Sequence, residues 1–514
     1  MRYLCVLLMM WMATANAQLG TVETEGGSVY GLPGETQAFL GIPYAAPPVG
    51  NLRWRPPAQA TKWRGVKDAT KFGSDCVQPP EYPELRGGGQ SEDCLTLNVW
   101  TPARSKAERL PVMVWIHGGG FQYGAGSHPM YDGTSLAAQG VVVVTLNYRL
   151  GLLGYLAHPA LSSESPTHAS GNYGLMDQIA ALGWVQRNIS SFGGDPSNVT
   201  VFGQSAGAHS IATLLITPSA NGLFSKAIME STGVMRPMAT LAQAEKYGLL
   251  LGDNIEKLRK IPASDLIRMQ DKVKNGHSAW TEPALPGLII DGLLVPQPDY
   301  LAFGEGRYNK VPIIVGSNLN EGGAVASHSD IKTLSQYDEL LSLNFPTLEI
   351  EASANFKVKS DNVTQAVADI YTDLQFRFGT RQLLNVEAKN GVPAFSYVFS
   401  RHRNDEARAP VHGDELEYVF GTLNAEHRGM KEPFNHFDIV TSQTIQARWL
   451  AFARSGKPDV SGGLVWEPFG VRREHIVFSD VISTQPEQKS VQLDFITDFY
   501  KRRRSAGAGE EGRW

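Results

Sequence analysis

The sequence has no long apolar run, no internal repeat and no large excess of one charge. A membrane-spanning helix needs roughly 20 apolar residues in succession, and the one apolar run, Leu4 to Met12, is shorter. A net charge of −5 gives no indication of a nucleic-acid partner. No repeat typical of solenoids or propellers occurs in the sequence. Since 514 residues suffice for a large core, we expect a globular protein with no membrane anchor and no nucleic-acid partner.

Cysteine is also scarce, with three residues in the chain. Cys5 lies inside the N-terminal apolar run rather than at its end, which argues against a lipid-modified cysteine. Cys76 and Cys94 remain, and an even pair in an exported chain indicates a disulfide. The bridge would close the Pro- and Gly-rich loop 77–93 and contribute about 3 kcal/mol to stability. Two unpaired buried thiols are the alternative.

Residues 1–17 have the features of a cleavable signal peptide. A positive charge at Arg2 precedes the apolar run, and Ala15-Asn-Ala17 supplies the small residues of a cleavage site. We expect the mature chain to begin at Gln18 and to be secreted or periplasmic. Three asparagines match the N-glycosylation pattern, which only a eukaryotic host would use: Asn188, Asn198 and Asn362.

A run of β-forming residues leads into the pattern G-x-S-x-G at residues 203–207, and an apolar segment follows. Gly203 and Gly207 flank Ser205. This is the layout of a nucleophile elbow, in which a tight strand-to-helix turn holds a serine hydroxyl at the end of a sheet. The glycines are required because a Cβ at either position would collide as the chain doubles back. An ordinary strand–loop–helix connection is the alternative interpretation.

Unbroken apolar runs alternate along the chain with segments of helical spacing. The runs 112–116, 141–145 and 311–315 are typical of strands buried on both faces. Apolar residues recur at helical spacing over 175–185. Because strands that alternate with helices favour a mostly parallel sheet covered on both faces, the sequence predicts the α/β class.

Two longer helical regions, about 238–270 and 331–389, lie among the later strands. There they would form walls over the strand ends, the edge at which open α/β sheets bind ligands. The chain contains no convincing linker. We therefore predict a single domain over residues 18–500, followed by a disordered tail, 501–514, whose first basic residues form a solvated helix end.

Acyl transfer through serine needs a base for the hydroxyl proton and N–H donors for the developing oxyanion. His117-Gly-Gly-Gly120 follows a predicted buried strand and has the form of the oxyanion element of esterases and lipases. Without side chains, its amides can approach a substrate oxygen closely. A simple glycine turn is the alternative, but a turn would not explain why a nucleophile elbow occurs in the same chain.

The remaining two groups should follow in the order serine, acid, histidine. Glu321, just past a predicted buried strand, fits the acid, while Asp291 is its rival and fits a turn equally well. His402 and His412 both follow the predicted late strand 394–399. The pattern alone therefore leaves the base undecided.

Further motifs accompany the two glycine-rich elements: Phe39-Leu-Gly-Ile-Pro-Tyr44, Ser91-Glu-Asp-Cys-Leu-Thr-Leu-Asn-Val99, Phe192-Gly-Gly-Asp-Pro196 and His412-Gly-Asp-Glu415. With these motifs in this order, the chain from about Thr21 to Phe499 resembles the type-B carboxylesterases of the α/β-hydrolase superfamily. This group includes animal carboxylesterases, cholinesterases and bacterial para-nitrobenzyl esterases. The resemblance implies an α/β-hydrolase fold with helical insertions over the C-terminal edge of the sheet, and a triad of Ser205, Glu321 and His412.

The resemblance also implies which groups would support that triad. Oxyanion donors would be the amides of Gly119, Gly120 and Ala206. A supporting serine and glutamate near the histidine would be Ser231 and Glu415, for which plain structural hydrogen bonding is the alternative. The family's chemistry needs no metal and no cofactor.

The chain departs from the cholinesterases at two points. Gln204 stands before the nucleophile where cholinesterases have a glutamate, and the loop 77–93 lacks their cation-binding tryptophan. The resemblance assigns the disulfide that closes this loop to Cys76 and Cys94, whereas the later disulfides of the animal enzymes are absent. Recognition of quaternary ammonium relies on aromatic faces, so we do not expect a choline ester as substrate.

The sequence therefore predicts a serine hydrolase that cleaves small-molecule carboxylic esters through an acyl-enzyme intermediate. An interfacial lipase would share every catalytic residue but would need a mobile apolar lid, for which the loop 77–93 is too polar. A non-catalytic adhesion protein of the same fold would usually lose the nucleophile or the base, and here all three triad positions are present. The natural ester is not identified by any motif.

Overall fold

The structure is a computed structural model that describes residues 19–80, 85–273, 279–358, 362–402, 409–424 and 433–507. The predicted signal peptide, the first mature residue and positions 508–514 of the predicted tail lie outside the described residues.

The described strands are β1 Thr21–Thr24, β2 Gly27–Gly31, β3 Gln37–Pro43, β4 Val66–Ala69, β5 Asp75–Cys76, β6 Gln90–Ser91, β7 Thr96–Thr101, β8 Leu110–Ile116, β9 Val142–Leu146, β10 Gly194–Gln204, β11 Lys226–Glu230, β12 Ala239–Thr240, β13 Ile289–Ile290, β14 Ile313–Asn318, β15 Ala394–Phe399, β16 Glu474–Phe478 and β17 Ser483–Pro486.

The described α-helices are α1 Thr134–Ala137, α2 Gly151–Tyr155, α3 Pro159–Glu164, α4 Tyr173–Asn188, α5 Ala206–Ile216, α6 Leu241–Gly248, α7 Ile255–Arg259, α8 Ala263–Met269, α9 Asp299–Gly304, α10 Gly323–Ser327, α11 Leu334–Asn344, α12 Glu349–Asn355, α13 Val363–Thr372, α14 Phe378–Asn390, α15 Leu416–Phe420, α16 His436–Ser455, α17 Phe469–Arg472 and α18 Ser490–Gly507. A π-helix, Asp373–Arg377, joins α13 to α14.

Ten of the described strands form one central sheet in the order β17-β16-β15-β14-β11-β10-β8-β9-β7-β3. From β16 to β9 each strand pairs parallel with its neighbour, and β17, β7 and β3 pair antiparallel at the two edges. The predicted apolar runs correspond to parallel strands of this sheet, whereas the parallel strand β16 was not predicted. The mostly parallel sheet is confirmed.

Both faces of the sheet are covered, as unbroken apolar strands require. Along β8, Val114 and Ile116 belong to a core shared with α4 and α5, whereas Trp115 belongs to a second core shared with α16. Each of these side chains is fully buried. The carboxyl ends of the parallel strands consequently meet at one edge, where the loops after β8, β10, β11, β14 and β15 lie together.

The predicted helical insertions correspond to α6–α8 and to the run from α11 to α14. The second insertion contacts the edge described above, because Phe376 of the π-helix packs against His412 with ring centroids 4.8 Å apart. None of the described helices is both long and apolar enough to cross a bilayer.

The basic residues 501–504 lie in a helix end, as predicted, but the helix α18 continues to Gly507, so the predicted disorder is wrong for residues 505–507. The end of this helix is not fully solvated either. Arg503 forms an ion pair with Glu282, and the guanidinium of Arg504 lies 3.7 Å from the centre of the Tyr300 ring. These contacts stabilise the last turns of the helix. They could not be predicted from the sequence near the helix, because the partner residues lie far away along the chain.

The loop between β5 and β7 is closed by a disulfide, since Cys76 and Cys94 are bonded at 2.05 Å. Both cysteines are buried. Among the three asparagines of the glycosylation pattern, Asn188 is also buried and donates to the Trp184 carbonyl, so it is not available for modification in the folded protein.

Candidate active site

Ser205 lies on the tight turn between β10 and α5. Its backbone has φ 57° and ψ −122°, a conformation that costs a non-glycine residue about 1–3 kcal/mol. The turn is held because the Ser205 amide donates to the Glu230 carbonyl at 2.9 Å. A Cβ at Gly207 would lie 1.9 Å from the carbonyl oxygen of Ile116, and one at Gly203 would lie 2.6 Å from the same atom. Both glycines are therefore needed for the close approach of the helix to β8.

The glycine run after β8 passes directly beside this serine. A Cβ at Gly118 would lie 3.1 Å from the Cβ of Ser205. The next two residues, Gly119 and Gly120, adopt positive φ values of 107° and 59°. Within the described residues, the amides of Gly119, Gly120 and Ala206 donate to no protein acceptor. These three N–H groups are thus available to an oxygen bound next to the serine.

His117, which opens the glycine run, has a structural position. It is fully buried, and its ring stacks on Tyr148 with centroids 4.3 Å apart. The Tyr148 hydroxyl donates to the His117 carbonyl at 2.8 Å. Burial lowers the pKa of His117 to about 4, so the ring is neutral near pH 7 and fixes the glycine run by packing.

Glu321 and His412 form a hydrogen-bonded acid–base pair at this edge of the sheet. The Nδ1 of His412 lies 2.6 Å from Oε2 of Glu321. The other oxygen of Glu321 accepts from the Ser231 hydroxyl at 2.6 Å and from the Asn318 amide at 2.7 Å. Because Glu321 is fully buried and its oxygens have donors, the carboxylate is rigidly oriented toward the imidazole.

Asp291 and His402, the alternatives for the acid and the base, lie away from this pair. Asp291 accepts hydrogen bonds from the amides of Leu293 and Val295, both at 2.9 Å. It therefore stabilises a turn, which was the alternative interpretation of its sequence. His402 is exposed. Neither residue contacts Glu321 or His412 in the described part of the chain.

His412 makes no hydrogen bond to the Ser205 hydroxyl in this conformation. With Nδ1–H donated to Glu321, its Nε2 is an acceptor, and the amide nitrogen of Gln204 lies 3.1 Å from it. Catalytic hydrogen bonds are often long in the absence of substrate and shorten when it binds. A donor that occupies Nε2 would have to be exchanged for the serine hydroxyl.

Two further buried carboxylates, Glu415 and Glu230, lie close to the pair and to each other. Burial disfavours the charged form of His412, but the hydrogen bond and charge of Glu321, together with the charges of Glu415 and Asp414, outweigh burial and raise the pKa of the histidine above its usual value. Burial and the neighbouring Glu321 in turn raise the pKa of Glu415 to about 7. Burial, aided by Glu415, raises the pKa of Glu230 well above its usual value.

Sequence reasoning missed several residues that shape this site. Phe376 covers the imidazole with its ring, and its neighbour Gln375 bonds to Arg236 and to the carbonyl of Trp280. Glu230 was missed although it directly precedes Ser231. Of these residues, only Glu230 could have been found from the sequence, because it is an acid at the end of an apolar strand. Phe376 and Gln375 could not, because no amino-acid composition is typical of a π-helix.

The arrangement can therefore carry out nucleophilic chemistry at a carbonyl group: a strained serine, a histidine oriented by a buried carboxylate, and three unpaired amides. In the described residues, no group of three or more histidine, cysteine, aspartate or glutamate side chains is arranged to hold a metal ion.

Comparison with known proteins gives matches over most of the chain. The model of the carboxylesterase family matches residues 13–495. The fumonisin B1 esterase of Sphingopyxis macrogoltabida is 42% identical over 468 residues, which cover 90% of this chain and 87% of that protein. The para-nitrobenzyl esterase of Bacillus subtilis (strain 168) is 38% identical over 490 residues, covering 91% and 96%. A solved para-nitrobenzyl esterase structure superposes with a TM-score of 0.81 at 35% identity, covering 93% of this chain and 99% of that one.

Proposed function

The chain belongs to the carboxylesterase family, and we propose that Ser205, Glu321 and His412 are the catalytic triad with which it hydrolyses esters. It is a carboxylic-ester hydrolase with the α/β-hydrolase fold. The single observation that carries the proposed triad is the 2.6 Å hydrogen bond between His412 and the buried Glu321, at the sheet edge that also presents the strained Ser205.

In the first step, Nε2 of His412 takes the proton of the Ser205 hydroxyl as the oxygen attacks the ester carbonyl. The imidazolium that forms is stabilised by its hydrogen bond to Glu321, whose side chain is buried and therefore cannot exchange this partner for water. The amide of Gln204 leaves Nε2 in this step, so that the serine proton can replace it.

The tetrahedral intermediate carries its negative charge on the former carbonyl oxygen. We assign the amides of Gly119, Gly120 and Ala206 as its donors, which their lack of protein acceptors supports. Donors held in place before the reaction need no reorganisation as charge develops, and each is worth roughly 3 kcal/mol of barrier. Collapse of the intermediate releases the alcohol, which receives the proton from His412.

Deacylation repeats these steps with water. His412 takes a proton from a water molecule, the hydroxide attacks the acyl-serine, and Ser205 leaves with the proton returned by the histidine. Atoms and charges balance without a cofactor.

Ser231 and Glu415 are positioning residues in this proposal. Ser231 donates to Glu321 at 2.6 Å and so fixes the rotation of the carboxylate. Glu415 contributes negative charge that favours the imidazolium. A purely structural role for either residue would leave the pH dependence of turnover unchanged.

The protein is proposed to act on small, dissolved esters outside the cytoplasm. The pattern of residues 1–17 supports export. The loop closed by Cys76 and Cys94 supports a soluble ester over a lipid interface, because its sequence is too polar for an apolar lid.

Covalent labelling tests the nucleophile. A p-nitrophenyl phosphonate should inactivate the enzyme with one equivalent, and peptide mass should place the adduct on Ser205. Ser205→Ala should neither be labelled nor hydrolyse p-nitrophenyl butyrate. Ser210→Ala is the matched control, because Ser210 is a buried serine of helix α5 that bonds to Gln178. This variant should be labelled and should hydrolyse the ester.

An adduct on a different residue, or turnover retained in Ser205→Ala, would refute the proposed nucleophile. The lipase alternative predicts a jump in rate when an ester exceeds its solubility limit, whereas a soluble esterase saturates below that limit.

A further inference from the structure

His209 is a titratable residue beside the proposed nucleophile that the proposed catalytic steps do not use. Its backbone amide donates to the Ser205 carbonyl at 2.8 Å, so the two residues lie one turn apart at the start of α5. Residues four positions apart on a helix share a face, and helical side chains tilt toward the N-terminus. The imidazole of His209 is consequently directed toward the end of the helix at which Ser205 lies.

One wall beside this imidazole is formed by the residue that follows the glycine run. The rings of Phe121 and His209 lie 6.0 Å apart between their centroids. Phe121 is buried and directly follows Gly120, whose amide is a proposed oxyanion donor. His209 therefore lies beside the stretch of chain against which the carbonyl oxygen of an ester would bind.

A second wall leads to the proposed base. Arg236 is close enough to His209 for its charge to act on the imidazole. The guanidinium also bonds to Gln375, and the next residue, Phe376, covers the ring of His412. The contacts of His209 thus reach both the oxyanion side and the histidine side of the site.

The imidazole of His209 has hydrogen-bonding capacity that the protein does not use. No group in the described part of the chain hydrogen-bonds to either ring nitrogen, and both nitrogens reach solvent. Burial and the charge of Arg236 lower the pKa of His209 to about 3, so the ring is neutral near pH 7. A neutral imidazole offers one N–H donor and one acceptor nitrogen. Since a polar group surrounded by protein usually has a partner, the free nitrogens point to a group that the substrate supplies.

We infer that His209 is a specificity-determining residue that hydrogen-bonds a hydroxyl group of the substrate, so that the enzyme favours hydroxylated esters over their hydrocarbon analogues. The inference rests on the proposed function of Ser205. A hydroxyl group both donates and accepts, so it can pair with whichever nitrogen of the imidazole faces it. A cationic group is disfavoured at this place by the charge of Arg236.

Two pairs of esters of matched shape test the inference, because one member of each pair has a methyl group in place of the hydroxyl. p-Nitrophenyl 3-hydroxybutanoate and p-nitrophenyl 3-methylbutanoate differ on the acyl side. 2-Hydroxyethyl butanoate and propyl butanoate differ on the alcohol side. For at least one pair, the hydroxyl-to-methyl ratio of wild-type kcat/KM should exceed the same ratio for hydrolysis by hydroxide ion at least about threefold, as one hydrogen bond allows.

Substitutions of His209 separate hydrogen bonding from shape. His209→Phe retains a flat ring but has no hydrogen-bonding group, so it should lower the ratio of that pair at least about threefold, chiefly through the hydroxylated member. His209→Gln keeps a donor and an acceptor and should retain most of the wild-type ratio. Ser210→Ala, on the same helix, is the control and should leave both ratios unchanged.

The outcomes distinguish this inference from the proposed function. If His209→Phe folds and both ratios keep their wild-type values, or if it slows the two members of each pair equally, the inference is wrong. Wild-type ratios no higher than those for hydroxide ion would overturn it without any variant. If the wild type hydrolyses none of the four esters, the proposed function fails, and the inference fails with it.

Discussion

At the residue scale, the nucleophile was predictable because its requirements are local. The two glycines of the elbow are demanded by the carbonyl of Ile116, which leaves no space for a Cβ at Gly203 or Gly207. A steric requirement of this kind can be recognised in the sequence, because both glycines lie two positions from the serine. Ser205 could therefore be selected before any tertiary contact was known.

The acid and the base could not be selected in that way. Glu321 and His412 are 91 positions apart and meet because β14 and β15 are parallel neighbours whose loops continue side by side. The amide of Asn320 donates to the Pro410 carbonyl at 3.0 Å and ties the two loops together. The positions of the two residues in the sequence do not reveal that they pair, so only family resemblance distinguished His412 from His402.

The charge of Glu415 should affect the pH at which the enzyme becomes active, in addition to the larger effect of Glu321. Its carboxylate favours the imidazolium form of His412 and raises the pKa of that histidine, whereas catalysis needs the neutral ring. Because burial and Glu321 raise the pKa of Glu415 to about 7, this carboxyl is only partly ionised where the histidine titrates. Glu415→Gln removes that partial charge, so the His412 pKa falls and the acid limb of the kcat/KM profile moves to lower pH, by about half a pH unit or less.

The control for this prediction is Glu387→Gln, a buried glutamate that bonds to Tyr308 and is remote from the histidine. Its pH profile should match that of the wild type. A profile for Glu415→Gln that does not move, or that moves to higher pH, would show that Glu415 does not act through the charge of His412.

At the element scale, the apolar runs predicted several of the parallel strands, although not β16. The predicted run 394–399 coincides with β15, and 112–116 lies within β8. Such strands are recognisable because burial on both faces removes polar residues from them. The π-helix Asp373–Arg377 was not recognisable, since its wider hydrogen-bond pattern requires no particular residue type.

The π-helix should matter for catalysis because it brings Phe376 over the imidazole. Phe376→Ala removes this wall and leaves His412 free to rotate, so we expect kcat/KM to fall about tenfold and the unfolding free energy to fall by about 3 kcal/mol. Phe376→Leu, which retains most of the volume, should recover most of both.

Phe345 is a control for the loss of buried aromatic area alone. It packs against Phe495 and Phe499, far along the chain from the histidine. Phe345→Ala should lower the thermal midpoint but leave kcat/KM of the folded enzyme near the wild-type value. If Phe376→Ala behaves in the same way, the aromatic contact with His412 has no catalytic role.

At the scale of the whole molecule, the resemblance of ordered motifs predicted the α/β-hydrolase fold, and the sheet and its helical layers confirm it. The extent of α18 was not predicted. Basic residues at a chain end suggest exposure to solvent, yet Arg503 and Arg504 find partners on distant segments. Such partners depend on the assembled fold rather than on the local sequence.

The covalent state of the exported protein is a prediction at this scale. If residues 1–17 are removed on export, intact mass should show a chain that begins at Gln18 and has no free thiol. Reduction should add two hydrogens, because Cys76 and Cys94 are joined. The double substitution Cys76→Ser and Cys94→Ser should lower the unfolding free energy by about 2–5 kcal/mol.

Alkylation of the unreduced, denatured protein is the matching control. Two labelled cysteines would contradict the disulfide, and a mass that includes residues 1–17 in the exported protein would contradict the cleavage site.

The identity of the base is the central claim, and the turnover of two histidine variants tests it most directly. His412→Ala should fold normally, keep the thermal midpoint of the wild type within a few degrees, and lose roughly 10⁴-fold or more in kcat. His402→Ala should retain wild-type turnover, because its side chain is exposed and touches neither Glu321 nor Ser205. A folded His412→Ala enzyme that still turns over, with activity abolished in His402→Ala, would contradict the proposed triad.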